Sequence, residues 1–164
     1  MLTNATPNTL FKRLKDLRIK TQSHKHSPVF TVEEAKFHCK HLPGGHCKNL
    51  FLKDKKGLLF LIVTLEKQII DFKSLRKQIG SHPLSFCKPE LLGEVLGVKP
   101  GSVSPFALIN DTKRRVQVVL DKEMMQIDLL NYHPLTNGMT TAITPSDLLI
   151  FISDTGHNPI EVKL

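Results

Sequence analysis

Two apolar runs, Asn49-Leu50-Phe51-Leu52 and Leu58-Leu59-Phe60-Leu61-Ile62-Val63, are separated by Lys53-Asp54-Lys55-Lys56-Gly57. Short runs of this kind, joined by a charged segment that ends in glycine, predict a β-hairpin, with Gly57 supplying the positive φ of the turn. It is the clearest hairpin in the chain. Helical signals surround it. Thr6-Pro7 followed by Leu10, Phe11, Leu14 and Leu17 predicts an N-capped amphipathic helix with proline in its first turn. Thr31-Val32-Glu33-Glu34 has the spacing of a second cap, and Pro43-Gly44-Gly45 closes the short helix that follows. Further helices are expected over Phe72–Ile79, over Glu90–Leu96 before Gly97, and over Leu148–Asp154, opened by Pro145-Ser146-Asp147 and closed by Gly156.

The segment Ile19–Val32 reads as extended chain. Phe106–Asn110, Val116–Asp121, Thr140–Thr144 and Ile160–Val162 read as strands. Helices and hairpins mix without a repeating strand-helix unit, which predicts an α+β domain: a mixed, partly barrel-like curled β-sheet surrounded by helices. The 164 residues suit one domain, taken as 1–164, with a core that needs no disulfide or structural metal.

Lys and Arg number 23 against 15 for Asp and Glu, a net charge of +8. Such an excess attracts polyanions, so nucleic acid or an anionic surface is a natural partner. Met1–Leu10 has no basic segment leading into an apolar run, and no stretch is long and apolar enough to cross a bilayer; a cytoplasmic protein with no membrane partner is expected. Cys39, Cys47 and Cys87 have no disulfide-framework spacing and read as ordinary thiols in a reducing compartment.

Several stretches resemble the YbaK and prolyl-tRNA-synthetase-associated editing-domain family. These are His26-Ser27-Pro28-Val29-Phe30-Thr31-Val32-Glu33-Glu34-Ala35; Leu42-Pro43-Gly44-Gly45-His46-Cys47-Lys48-Asn49-Leu50-Phe51-Leu52-Lys53-Asp54-Lys55-Lys56; a Gly-x-x-x-Pro loop at Gly101 and Pro105; and His133-Pro134-Leu135-Thr136-Asn137 with Thr140. They follow the family's order and span nearly the whole chain. Ser27, where the family often has proline, and His38-Cys39-Lys40-His41 depart from its pattern. The resemblance implies the family's fold and a free-standing, trans-editing aminoacyl-tRNA deacylase acting on the acceptor end of mischarged tRNA for proline, with prolyl-tRNA synthetase as a further partner and no DNA. Lys48-Asn49-Leu50-Phe51-Leu52 is similar to the branch that acts on alanyl-tRNA(Pro). Cysteinyl-tRNA(Pro) is the alternative substrate, and a non-catalytic tRNA- or synthetase-binding module is the alternative from another class.

The chemistry is physically reasonable. A pocket built for proline disfavours a smaller side chain by only about 1–3 kcal/mol per missing methylene, whereas a second, smaller pocket excludes proline by size. The ester is already activated, so hydrolysis needs a held water, a fixed carbonyl and donors for the oxyanion, and no nucleophilic triad. On the resemblance, Lys48 is expected to meet a phosphate and Asn49 the substrate amino group or terminal ribose. Lys53 and Thr140 are grouped with them in substrate or tRNA binding. By residue type alone Lys48 reads as an exposed strand lysine, and Asn49 as a turn residue that bonds its own backbone. The Gly101–Pro105 loop is expected to offer consecutive backbone N–H groups to the carbonyl oxygen, and His133 to bond the substrate or orient water, or else to act as a capping histidine. No cofactor is expected. The cluster His38, Cys39, His41, His46 and Cys47 contains zinc-ligand types, but no second pair follows at a distance and neighbours on one element diverge, so no metal is expected.

Overall fold

The computed structural model describes residues 3–164; Met1 and Leu2, included in the reading of the N-terminus, lie outside the described residues. In chain order the elements are α1 (Pro7–Asp16), β1 (Gln22–Lys25), α2 (Val32–Cys39), β2 (Gly45–Asp54), β3 (Leu59–Leu65), α3 (Phe72–Ile79), β4 (Leu84–Phe86) and α4 (Pro89–Leu96). A 3-10 helix (Pro105–Asn110) leads to β5 (Val116–Asp121), and a second (Met124–Gln126) leads to β6 (Leu130–Tyr132), β7 (Met139–Ile143), α5 (Pro145–Asp154) and β8 (Ile160–Val162). The helix signals act as predicted. Thr6 Oγ1 accepts from Thr9 N–H at 3.2 Å, and Thr31 Oγ1 accepts from Glu34 N–H at 3.1 Å.

The hairpin lies at the centre of the sheet, with Phe51 opposite Leu61 and Gly57 at φ +83°. The eight strands form one curled mixed sheet, open at its ends, in the order β1-β7-β6-β2-β3-β5-β8, with β4 also on β2. Side chains alternate between two faces, and both faces of β3 and β5 are buried. Leu59, Leu61 and Val63 of β3 and Val116, Val118 and Leu120 of β5 pack on one face with α1, α4, α5 and the first 3-10 helix. Phe60 and Ile62 pack on the other with Leu75 of α3, Val119 and Val162. The expected α+β architecture is therefore observed.

One strand expectation is overturned. Phe106–Asn110 is a 3-10 helix because Pro105 fixes a helical φ at its first turn. Phe106, Ala107 and Leu108 are all buried; Phe106 stands edge-on to Phe151 at 5.5 Å and to Tyr132 at 6.0 Å. Four consecutive apolar residues, Phe106 to Ile109, carry no period to separate strand from helix. Among the described residues no helix is long and apolar enough to cross a membrane.

β2 has an unusual second edge. One edge pairs with β3 from Cys47 to Lys53. The other is shared: Gly45 and His46 pair in parallel with Leu130 and Asn131 of β6, and Leu52 to Asp54 pair antiparallel with β4. Between these two pairings, Cys47–Leu50 has no ladder partner on that edge among the described residues, and the sheet forks there.

A buried polar staple closes the far end of the domain. Asp111, before β5, accepts hydrogen bonds from His157 Nε2 at 2.8 Å, Val116 N–H at 2.9 Å and Arg115 N–H at 3.1 Å. Burial alone would raise the Asp111 carboxyl, but these donors together hold it below its ordinary 3.8. Its stabilisation is thus present above pH 3.8 and lost as pH falls through the lowered value. Removing the carboxylate leaves buried donors unpaired, so Asp111→Ala should lower unfolding free energy by about 3–5 kcal/mol near neutral pH. Urea titrations at pH 7 and pH 3 should find this gap between variant and wild type narrowing at the lower pH.

Candidate active site

A cavity of about 210 Å³ opens at the fork in the sheet. Phe30, Thr31 and Ala35 line one wall, Cys47, Lys48 and Asn49 of β2 the floor, and Gly101, Val103 and His133 the opposite side. Behind it lies a smaller recess of about 50 Å³, bordered by Cys39, His46, Asn131, Tyr132 and Thr140 and sharing Cys47, Asn49 and His133 with the cavity.

Consecutive strand residues leave opposite faces of a sheet, so Lys48 and Asn49 diverge. Asn49 faces inward. Its Oδ1 and the Nε2 of His46 are buried without a hydrogen-bond partner among the described residues. Buried polar atoms are rarely left unpaired, so both are open to a ligand's polar groups. Lys48 leaves by the other face, and its ammonium donates to the Gln68 carbonyl on the outer side of β2. An ammonium has three N–H donors, so two remain free. Burial pushes the Cys47 thiol up to about 12, which keeps it protonated and unfit as a nucleophile.

The Gly101 loop needs glycine, since φ there is +90°. Ser102 N–H donates back to the Lys99 carbonyl at 3.0 Å. The loop therefore does not offer the unbroken row of N–H donors expected from the sequence. Ser104 Oγ, fully buried, donates to the His133 carbonyl at 2.7 Å and ties this loop to the next. Within His133–Gly138, Leu135 has φ +64°, a left-handed conformation costly for a bulky side chain. The loop is held by Val29 N–H donating to the Asn137 carbonyl at 3.2 Å and Asn137 Nδ2 donating to the Val29 carbonyl at 3.0 Å.

His133 Nδ1 is 2.9 Å from the Met139 carbonyl. A carbonyl only accepts, so Nδ1 carries the proton and Nε2 keeps its lone pair. Burial lowers the His133 pKa from 6.5; the Met139 carbonyl opposes that shift and nearby His26 adds to it. The same logic orders the recess. His26 Nδ1 lies 2.8 Å from the Ser27 carbonyl and carries its proton, so neutral His26 accepts at Nε2 from the Thr140 hydroxyl, also at 2.8 Å. With its hydrogen committed there, Thr140 Oγ1 accepts from the Cys39 thiol at 3.5 Å.

Residues 26–151 match the family described as an aminoacyl-tRNA editing domain. The chain belongs to that family. Editing is hydrolysis of the ester that joins an amino acid to tRNA, so the domain is an aminoacyl-tRNA hydrolase, as its sequence led us to expect. "Prolyl-tRNA synthetase associated domain-containing protein 1" of Danio rerio is 42% identical over 149 residues, covering 90% of this chain and 81% of that protein. "Prolyl-tRNA editing protein ProX" of Acetoanaerobium sticklandii is 35% identical over 153 residues, 93% of each chain. The crystal structure of a candidate trans-editing enzyme for prolyl tRNA synthetase superposes with a TM-score of 0.71 at 20% identity, covering 99% of both chains. At that identity the likeness is one of fold.

In this editing domain Lys48, Asn49, Gly101 and His133 border one cavity, and Thr140 borders the recess behind it. Pro105 and Lys53 border neither. Pro105 is buried at the start of its 3-10 helix, where it fixes the loop exit, and Lys53 lies near Cys87 toward the far end of β2. His26, Cys39, His46 and Glu66 went unassigned in the sequence reading. His26 heads the His-Ser-Pro stretch, and extending the hairpin register by one pair sets Glu66 beside His46, whose carbonyl accepts from Glu66 N–H at 2.9 Å. Among the described residues no group of three His, Cys, Asp or Glu is placed to hold a metal ion.

Thr140→Val keeps the shape of the side chain and leaves His26 and Cys39 without their shared partner. It should lower unfolding free energy by about 1–3 kcal/mol, and Thr140→Ser should restore most of the loss in the same denaturant titration.

Proposed function

We propose that the chain is a single editing domain, 1–164, that acts in trans to deacylate mischarged tRNA for proline, with alanyl-tRNA(Pro) as its main substrate. The observation that carries this reading is the buried, unpartnered Oδ1 of Asn49 between the outer cavity and the small recess. A carbonyl oxygen there suits the substrate's α-ammonium group, a strong donor, with the side chain beyond it in the recess. That recess suits a methyl group and turns back a pyrrolidine ring, the size discrimination that binding to a larger pocket cannot supply.

Lys48 takes a phosphate of the acceptor end with the donors it does not spend on Gln68. Gly101 lets main chain approach the ester carbonyl, and Pro105 acts at a distance by fixing the loop. Water adds to the ester carbon, the bond to the ribose oxygen breaks, and that oxygen takes a proton from the water; free amino acid and tRNA leave. The water is activated by a ribose hydroxyl of the terminal adenosine, and His133 Nε2 orients it. The names of the relatives support proline tRNA as the substrate and prolyl-tRNA synthetase as the enzyme whose errors are corrected.

A second reading, deacylation of cysteinyl-tRNA(Pro), draws on His46 Nε2, which is unpartnered at the recess and suits a side chain with a donor of its own. A panel of alanyl-, cysteinyl-, seryl- and prolyl-tRNA(Pro) separates the readings. We expect rapid loss of the alanyl ester, intact prolyl-tRNA, and a fall in kcat/KM of roughly tenfold or more in Lys48→Ala. Preferential loss of cysteinyl-tRNA selects the second reading, and binding without turnover of any ester refutes hydrolysis.

The pH profile tests His133 directly. If the neutral ring is the working form, wild-type kcat/KM holds down to pH 6.5 and falls only below it, because burial lowers the His133 pKa. His133→Asn should be slower and lack that acid limb. A midpoint above 6.5, or an unchanged profile in the variant, would remove His133 from the mechanism.

A further inference from the structure

The side chain of Lys48 borders a second concavity. Beyond it, on the outer side of β2, lies an open groove of about 400 Å³ that shares only Lys48 and Glu66 with the cavity. Its walls hold three of the large apolar side chains that the fold leaves exposed: Ile69 at 87%, Phe86 at 64% and Phe72 at 40%. Phe86 is there because β4 pairs it with Leu52, just past the unpaired stretch of β2. Lys67 stands beside these side chains.

This combination selects its occupant. A groove for an apolar protein segment gains nothing from cations in its walls, whereas an unpaired nucleotide presents a flat π face, a phosphate and sugar hydroxyls within one backbone repeat. Phe86 and Phe72 offer aromatic surface for stacking, which tolerates any base. Lys48 and Lys67 match phosphates, and the Glu66 carboxylate accepts from a ribose hydroxyl or an exocyclic amine. The net charge of +8 favours the same partner. The groove adjoins the cavity at Lys48 and Glu66, where an acceptor strand bound by its esterified end could continue.

We propose that this groove binds single-stranded RNA, namely the unpaired nucleotides on the 5′ side of the terminal adenosine, with at least one base stacked on Phe86. The identity of the RNA rests on the deacylase reading. Stacking on the groove does not.

The test uses a short single-stranded RNA ending in CCA, labelled at its 5′ end and titrated at low salt into the full chain and into Phe86→Ala and Phe86→Tyr. Loss of a stacking aromatic should weaken binding roughly tenfold or more, and tyrosine should hold it within about twofold of wild type. Ile69→Asp, at a more exposed position, supplies a second variant that weakens binding by opposing the phosphates, should Phe86→Ala disturb the fold. Equal binding by all four proteins overturns the proposal. So does sedimentation in which wild type self-associates and Phe86→Ala does not while RNA affinity is unchanged, since the groove then holds a second copy of the chain. Hydrolysis of mischarged tRNA by wild type is scored separately: turnover with no effect of the groove variants on RNA binding refutes the groove alone, and weakened RNA binding without turnover refutes the deacylase reading alone.

Discussion

The site exists because one strand cannot be paired along its whole length on both edges. β2 gives one edge to β3 and divides the other between β6, running parallel, and β4, running antiparallel. Two strands of opposite direction meeting end to end along one edge leave a gap between them. That gap falls at Cys47–Leu50, where main chain is freed from the ladder and side chains still alternate. Asn49 turns its amide inward and Lys48 leaves by the other face, so on the proposed reading adjacent residues serve an amide site and a cationic rim without competing for space.

The remaining walls come from segments far apart in sequence, and main-chain hydrogen bonds fix them together. His26 N–H donates to the Gly138 carbonyl and Val29 N–H to the Asn137 carbonyl. Such contacts depend little on side-chain identity, which suits a site whose position must persist while its specificity changes. The strained Leu135 lies inside this lattice, where surrounding bonds hold a conformation the residue would not choose alone.

Legibility in the sequence followed the physics of each element. Capped helices were clear because Thr6 and Thr31 announce them locally, and α3 and β5 have the predicted bounds. The three-residue strands β4 and β6 are too short to show a period, and each forms because the larger sheet has an edge for it. Phe106–Asn110 reads as a strand in sequence and folds as a 3-10 helix, because four consecutive apolar residues, Phe106 to Ile109, show no alternation that would separate the two. Lys48, Asn49, Gly101 and His133 lie in sequence motifs and border one cavity. Glu66 and His46 enter through hairpin register, and His26 through a hydrogen bond to Thr140, relations that appear only when distant segments meet.

β1 is the least secured part of this arrangement. It lies at one end of the sheet order, its ladder runs to β7 alone, and its four residues are all exposed. His26 follows it immediately, so the outer anchor of the recess is attached to a short edge strand and not to the core. Edge strands of this kind detach in local openings far less costly than global unfolding. Each such event releases His26 and returns the Thr140 hydroxyl to free rotation while β2, β3 and β5 remain packed. On the proposed reading, heating loosens the recess at a lower temperature than it unfolds the sheet behind it.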